Sequence, residues 1–406
     1  MARSPPAAFL APLLLSATLR CCLGCTYFEL NTSLPGGEVV IGRTMEFGKV
    51  LGLTDWKVKV HPRGGEVDFA NASGASAHAG AARYGHVGIS FSGLMGFWET
   101  DGMNSEGLSI ALQSQYRAEY QRWDVLSPPA GKKLVFTAFL VPWVLSSFAT
   151  VQEVKDAILN GTYVVSNGPL PSSASAHWAI ADALGNSMVL EYERGEPKIY
   201  DNLVGVMTND PFYPWHVEHL NAYSWLSPSS NQNAPAEPIG MHVGDLLPGQ
   251  DFVPRNFGHG FNTGGLPGDV SPPSRFVKAF YLRQISQHNS RPGDELSGWM
   301  TLAQSILNSV FIPMGAEGPD RSTGSLQSGY QSYATLRVPQ QRMYAFRSYG
   351  NMQWHVVDLK KLDFGHAAQM PMPGDFDLSM KDVTSDFRAA GEPTPRRLLR
   401  VEEQHA

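Results

Sequence analysis

Cys25 stands where an apolar leader gives way to β-branched and aromatic residues, in the run Leu23, Gly24, Cys25, Thr26, Tyr27, Phe28. Cleavage after Gly24 would leave a chain whose first residue carries both a thiol and a free α-amine. Their ordinary pKa values, about 8.5 for the thiol and about 7.7–8.0 for the amine, put both close to neutral pH. An unassisted nucleophile is weak, and an N-terminal Cys, Ser or Thr can use its own amine as the base. Two other readings fit the same residues: a cysteine that merely lies near a leader, and a cysteine acylated as a lipid anchor.

Arg43 and Glu46 are the next residues with chemical content. They lie on the second of two short strand-like runs, Tyr27 to Leu30 and Val39 to Phe47, separated by the turn-forming residues 31–38. If the runs pair as a hairpin, Arg43 and Glu46 return alongside Cys25. A guanidinium beside the sulfur favours thiolate, and a carboxylate beside the new amine orients it. An ordinary surface ion pair on a hairpin is the competing account.

The leader has the composition of a secretory signal over residues 1–24. Arg3 supplies the positive end, Ala7 to Leu19 the apolar run, and Cys22 and Gly24 the small residues before the cut. The expected location is therefore secreted or periplasmic, outside the cytoplasm. The apolar run is shorter than the roughly 20 residues that cross a bilayer, and no later segment is long enough, so no membrane span is expected. Of the 3 cysteines, Cys21 and Cys22 fall in the leader. Exported proteins use cysteines in pairs, so a single remaining thiol points to chemistry rather than to a disulfide.

The hydrophobic fraction of 43% and charged fraction of 17% are those of a globular protein with an ample core. A net charge of −6 without a Lys/Arg run argues against nucleic acid as a partner. The one basic cluster, Arg396, Arg397 and Arg400, lies in a polar tail assigned to residues 383–406. One domain over residues 25–382 is the simplest organisation, since no linker or internal repeat divides it.

The elements that must position the candidate residues alternate in type. Ser90 to Phe97 and Gly107 to Gln113 have strand composition, with a turn over residues 100–104. Leu134 to Phe148 is apolar and helix-like, kinked or split at Pro142. Thr150 and Glu153 form a capping box that starts a helix ending near Asn160. Strands are expected over 177–181, 188–192, 198–200 and 203–208, and helices over 273–287 and 296–310. Closing strands follow over 333–338, 343–348 and 354–357. Residues 227–272 are rich in Pro, Gly, Asn and Ser and suggest a functional loop system. Layered packing of helices on mainly antiparallel sheets accounts for this order.

Taken together, these residues resemble the choloylglycine hydrolase family of N-terminal-nucleophile enzymes, which includes bile salt hydrolases and penicillin V acylases. The resemblance rests on Cys25-Thr26; on Gly42, Arg43, Met45 and Glu46; on Asp101-Gly102-Met103-Asn104 with Gly107-Leu108; and on Thr208-Asn209 with Pro211. Gly265 to Asp269 with Ser274, Arg275 and Phe276 completes it. It implies an αββα sandwich of two antiparallel sheets and hydrolysis of a linear carbon–nitrogen amide without a cofactor. A homo-oligomer, dimer or tetramer, is also implied. Carried over by position, Cys25 is the nucleophile, Arg43 steadies its thiolate and Glu46 replaces an aspartate that contacts the amine. Asn209 supplies an oxyanion donor and Arg275 supports the site. Ser114 stands where bile-acid-processing members often carry Asn. It is a candidate second oxyanion donor and favours the penicillin-V-acylase-like branch. The expected substrate is a small N-acyl amide with an apolar or aryl-acyl group, bile-acid conjugates and acyl homoserine lactones being alternatives. A lipid-anchored or secreted binding protein without catalysis is the rival from another class.

Other signals carry less. His216 and His219 lack a third metal ligand in view. Gly88 to Gly93 misses a nucleophile elbow because Ser92 stands where glycine is needed. Asn31, Asn71 and Asn160 open N-glycosylation triplets, used only if a eukaryotic cell exports the chain.

Overall fold

The computed structural model describes residues 24–47, 56–68, 79–91, 98–124, 129–167, 175–224, 226, 263–289, 292–318 and 329–374. Residues 1–23, most of the 227–272 region, Asn71, Ser92 and the tail lie outside them. In chain order the strands are Cys25–Asn31 (β1), Val39–Glu46 (β2), Trp56–His61 (β3), Glu66–Asp68 (β4), Ala79–Ala81 (β5), His86–Phe91 (β6), Glu99–Asn104 (β7) and Ser109–Ser114 (β8). Then come Lys133–Phe136 (β9), Tyr163–Ser166 (β10), Ala176–Ala181 (β11), Ser187–Glu193 (β12), Glu196–Asp201 (β13) and Val206–Met207 (β14). Gln331–Val338 (β15), Met343–Ser348 (β16), His355–Asp358 (β17) and Ala368–Pro371 (β18) follow. The α-helices are Leu140–Ser147 (α1), Val151–Leu159 (α2), Tyr213–His219 (α3), Pro272–Asn289 (α4) and Leu296–Ser309 (α5).

Two sheets dominate. One has six strands in the order β14-β1-β2-β15-β16-β17 and the other eight, β13-β12-β11-β8-β7-β6-β3-β18. Every pairing within them is antiparallel. An antiparallel sheet with one wet face alternates buried and exposed residues. Here β2, β6, β7, β8, β11 and β15 are buried at every position. Both faces must therefore be covered, and the layers supply the cover. Phe28 and Val40 pack with Phe276 and Trp299 of α4 and α5 on one side. Ile110 and Trp178 pack with Trp143 and Val144 of α1 on the other. The result is the αββα sandwich.

Residues 100–104, expected as a turn from their Asp, Gly and Asn content, belong instead to β7. The turn falls one step later, where Gly107 takes a φ of 81°. Residues 134–148 begin as a strand: β9 pairs in parallel with β10, and only Leu140–Ser147 is α-helical. Pro142 is accommodated in α1 because it sits in the first turn, where its missing N–H has no intrahelical partner to lose. Thr150 caps α2 as expected, accepting from the Glu153 amide at 3.2 Å. The 203–208 strand is shorter than its composition suggests, only β14.

Gly42 shows why the first hairpin needs its sequence. It stands opposite Phe28 in the β1–β2 register, and a Cβ there would lie 2.4 Å from the Phe28 ring. Both residues are held between sheet and helices, so the ring has no room to yield. Gly42→Ala is expected to cost about 1–3 kcal/mol by overpacking, read as a lower midpoint in urea unfolding. An unchanged midpoint would mean that the ring moves freely.

Candidate active site

Cys25 opens β1 and is 1% exposed. The hairpin register places it opposite Met45, so Arg43 and Glu46 flank it as the pairing of the two arms requires. Arg43 Nη2 lies 3.8 Å from Cys25 Sγ and 3.3 Å from Met45 Sδ, and donates to the Leu112 carbonyl at 2.8 Å. Its Nε is 3.7 Å from Asp101, and its guanidinium sits 4.9 Å above the Tyr333 ring. Leu112 and Asp101 come from the eight-stranded sheet and Tyr333 from the six-stranded one, so both sheets fix the cation. Asp101 is itself held by Arg337 at 2.8 Å and by the Tyr344 hydroxyl at 2.6 Å.

Burial pushes the Cys25 thiol up to about 11; Arg43 pulls it down and Glu46 pushes it further up. The sulfur therefore keeps its proton at neutral pH and needs a base to lose it. The Glu46 amide donates to the Gly24 carbonyl at 2.8 Å. Its carboxyl is fully buried, and neither oxygen meets a well-aligned donor among the described residues. Burial raises that carboxyl to about 7 against the pull of Arg275, whose Nη1 is 3.9 Å away.

Asn209 and Arg275 close the site from the far end of the chain. Asn209 Oδ1 accepts from the Cys25 nitrogen at 2.7 Å and from Arg275 Nη2 at 2.9 Å, while its Nδ2 donates to the Ser114 carbonyl at 3.0 Å. Arg275 Nη1 donates to the Cys25 carbonyl at 2.6 Å and the Thr26 hydroxyl at 2.7 Å, and its Nε to the Val270 carbonyl at 2.8 Å. Ser114 ends β8, and its buried hydroxyl has no hydrogen-bond partner among the described residues. Gly24 fits tightly: a Cβ there would lie 3.1 Å from Arg275 Nη2 and 3.4 Å from Glu46 Cβ.

Three residues that hold Asn209 were not apparent from the sequence. His216 on α3 reaches the Asn209 carbonyl at 2.9 Å, with its ring stacked on Phe276 at 4.7 Å. His177 reaches the Thr208 carbonyl at 2.8 Å and Glu191 at 2.8 Å. Glu191 in turn accepts from the Tyr213 amide at 3.0 Å, at the start of α3. His216, one half of the metal-like pair, is thus a positioning residue for the Asn209 backbone, and His219 stacks on Trp215 at 4.6 Å.

Residues 25–372 match the family described as linear amide C–N hydrolases, choloylglycine hydrolase family. The chain belongs to that family. This choloylglycine hydrolase family member is 31% identical over 265 residues to a bile salt hydrolase/transferase of Clostridium perfringens, an overlap of 64% of this chain and 72% of the relative. It is 25% identical over 387 residues to a penicillin V acylase of Pectobacterium atrosepticum, 91% of each chain. In three dimensions it superposes on the C2A mutant of a conjugated bile acid hydrolase from Clostridium perfringens with a TM-score of 0.70 and 24% identity. That match covers 88% of this chain and 99% of the other. The last likeness shows the fold, in agreement with the layers described above.

Glu46 offers a test of the buried electrostatics. Its folded pKa is raised from 4.5 to about 7, so the stabilisation it brings is fully present below about 4.5 and is lost as pH rises through about 7. In the chain that retains Gly24, wild type should lose about 1–3 kcal/mol relative to Glu46→Gln between pH 4.5 and pH 8. Urea unfolding at the two pH values measures the difference. A constant difference would show that Glu46 does not titrate in that window.

Proposed function

We propose that the mature chain is exported, begins at Cys25, and hydrolyses the linear amide of small N-acyl substrates with that thiol as nucleophile. The observation that carries this reading is the placement of the Cys25 nitrogen and sulfur. The nitrogen faces Asn209 Oδ1 at 2.7 Å, and the sulfur lies 3.8 Å from Arg43 Nη2. Removal of residues 1–24 converts that nitrogen from a peptide N–H to an amine with a free lone pair. The amine takes the thiol proton, and Arg43 stabilises the thiolate as it forms. Sulfur attacks the amide carbon, and the charge that develops on oxygen needs fixed donors. Asn209 Nδ2 and the Ser114 hydroxyl, which has no partner among the described residues, are the candidates. The protonated amine gives its proton to the leaving nitrogen, leaving a thioester on Cys25. Water then attacks the thioester with the amine as base, releasing the acid and restoring the thiol.

Aromatic side chains near Arg43 favour an apolar acyl group. Trp56 stacks on Phe91 at 4.4 Å and meets Tyr333 edge-on at 4.8 Å, and Phe47 packs on Phe91 at 5.1 Å. Trp123, with Tyr120 and Arg122, lines a separate cavity of about 710 Å³. A phenoxyacetyl amide of the kind a penicillin V acylase cleaves suits these aromatic surroundings. Bile-acid conjugates are the second reading, favoured by the relatives named bile salt hydrolase/transferase at 31% and 33% identity.

N-terminal sequencing and intact mass of the exported protein should give a chain that starts at an unmodified Cys25. Cys25→Ser should lower amide hydrolysis by at least about 10³-fold while leaving export and folding intact. Initial rates on a phenoxyacetyl amide and a glycine-conjugated bile acid decide between the two substrates. An acylated Cys25, or undiminished turnover by the serine variant, would overturn the mechanism.

A further inference from the structure

His61, His86 and Glu99 form a compact cluster that the chemistry above does not use. His61 ends β3, His86 opens β6 and the two are register partners. Their rings stack at 4.3 Å and 10°, which aims both Nε2 atoms at one carboxylate. His61 Nε2 lies 2.5 Å from Glu99 Oε1 and His86 Nε2 lies 3.3 Å from Glu99 Oε2. His86 and Glu99 are buried, at 1% and 2% exposure. Glu99 reaches the histidines by lying over Gly88, where a Cβ would meet its Oε2 at 2.4 Å.

His86 Nε2 is hydrogen-bonded to Glu99 and His61 forms an ion pair with it, yet two features are left over. His61 Nε2 approaches the carboxylate without good hydrogen-bond alignment, and His86 Nδ1 is buried without a partner among the described residues. We propose that His61 Nε2, His86 Nε2 and Glu99 bind one divalent cation of the zinc class, with a fourth position left for water. Two imidazoles and a carboxylate are a donor set that Zn²⁺ accepts, with bonds of about 2.0–2.2 Å. Tetrahedral geometry then sets the donor atoms about 3.3 Å apart. All three donors already lie within 4.8 Å of one another, so sub-ångström to roughly 1.5 Å adjustments complete the site. His61, 34% exposed in its side chain, is the least buried of the three and the side from which an ion enters.

The cation site lies across the eight-stranded sheet from Cys25. His86 pairs with Asn104, whose side chain donates to the Leu145 and Phe148 carbonyls at 2.8 and 2.7 Å; this is the face under α1. Thr100, the residue after Glu99, points the other way and meets the Tyr333 hydroxyl at 2.7 Å. The ion would therefore tie β3, β6 and β7 together behind the aromatic ring on which Arg43 rests. Its role is to brace the sheet, and no step of amide hydrolysis passes through it.

Titration of the purified full-length chain with Co²⁺ tests the site, using the visible absorption of the bound ion and displacement by Zn²⁺. One equivalent per chain is expected, with Cys25→Ser binding as wild type does. His61→Ala, a change at a partly exposed strand end, should weaken binding by more than about a hundredfold, since even outer-shell partners are worth about 10–100-fold. Zn²⁺ should raise the thermal midpoint of wild type and not that of His61→Ala. The proposal is overturned if wild type takes up no ion, if His61→Ala binds as well as wild type, or if Cys25→Ser abolishes binding.

Discussion

The candidate site depends on one buried cation, the guanidinium of Arg275. It is 1% exposed, and burying a charge costs several kcal/mol unless its donors are met. They are met by the Val270 carbonyl, the Cys25 carbonyl, the Thr26 hydroxyl and Asn209 Oδ1. The planar fork of arginine serves such divergent partners at fixed angles, which the single ammonium of lysine cannot do. Helix α4, the first strand and the loop after β14 are thereby joined at Cys25.

A second set of buried charges sits between the sheets. Arg43 and Arg337 share Asp101, and Tyr344 and Tyr333 complete the layer. Breaking a buried pair by removing one partner is far more costly than the pair is stabilising, so the relative position of the two sheets is specified by polar contacts as well as by apolar packing. Arg43 gains its place beside the sulfur from this layer, not from the hairpin alone.

The sequence made the local part of this site readable. Cys25, Arg43 and Glu46 come together through one hairpin whose turn residues and β-rich arms are explicit, and the register follows from the pairing. Asn209 and Arg275 meet Cys25 across 184 and 250 residues, and only motif resemblance pointed to them. Nothing in the spacing of His177, Glu191 and His216 marks them as the support of Asn209, because they meet only after α3 docks. The misread segment at 100–104 has a similar cause. Its Gly102 is turn-like in composition, yet it is small because a Cβ there would lie 2.6 Å from Leu145, and Asp101 is polar because Arg337 pairs with it. Tertiary contacts outweighed local propensity in both cases.

The span of chain that separates these partners sets an order on synthesis. A ribosome that has released residues as far as Ser114 has made the thiol, Arg43, Glu46 and Leu112, but neither Asn209 nor Arg275. Tyr333, on which Arg43 rests, emerges later still on β15, a direct neighbour of β2 in the sheet. The sheet around Cys25 is therefore complete only once β15 has paired with β2, a long-range pairing of the kind that forms slowly. The thiol thus precedes in the chain every long-range partner that surrounds it, by 184 residues for Asn209 and 250 for Arg275.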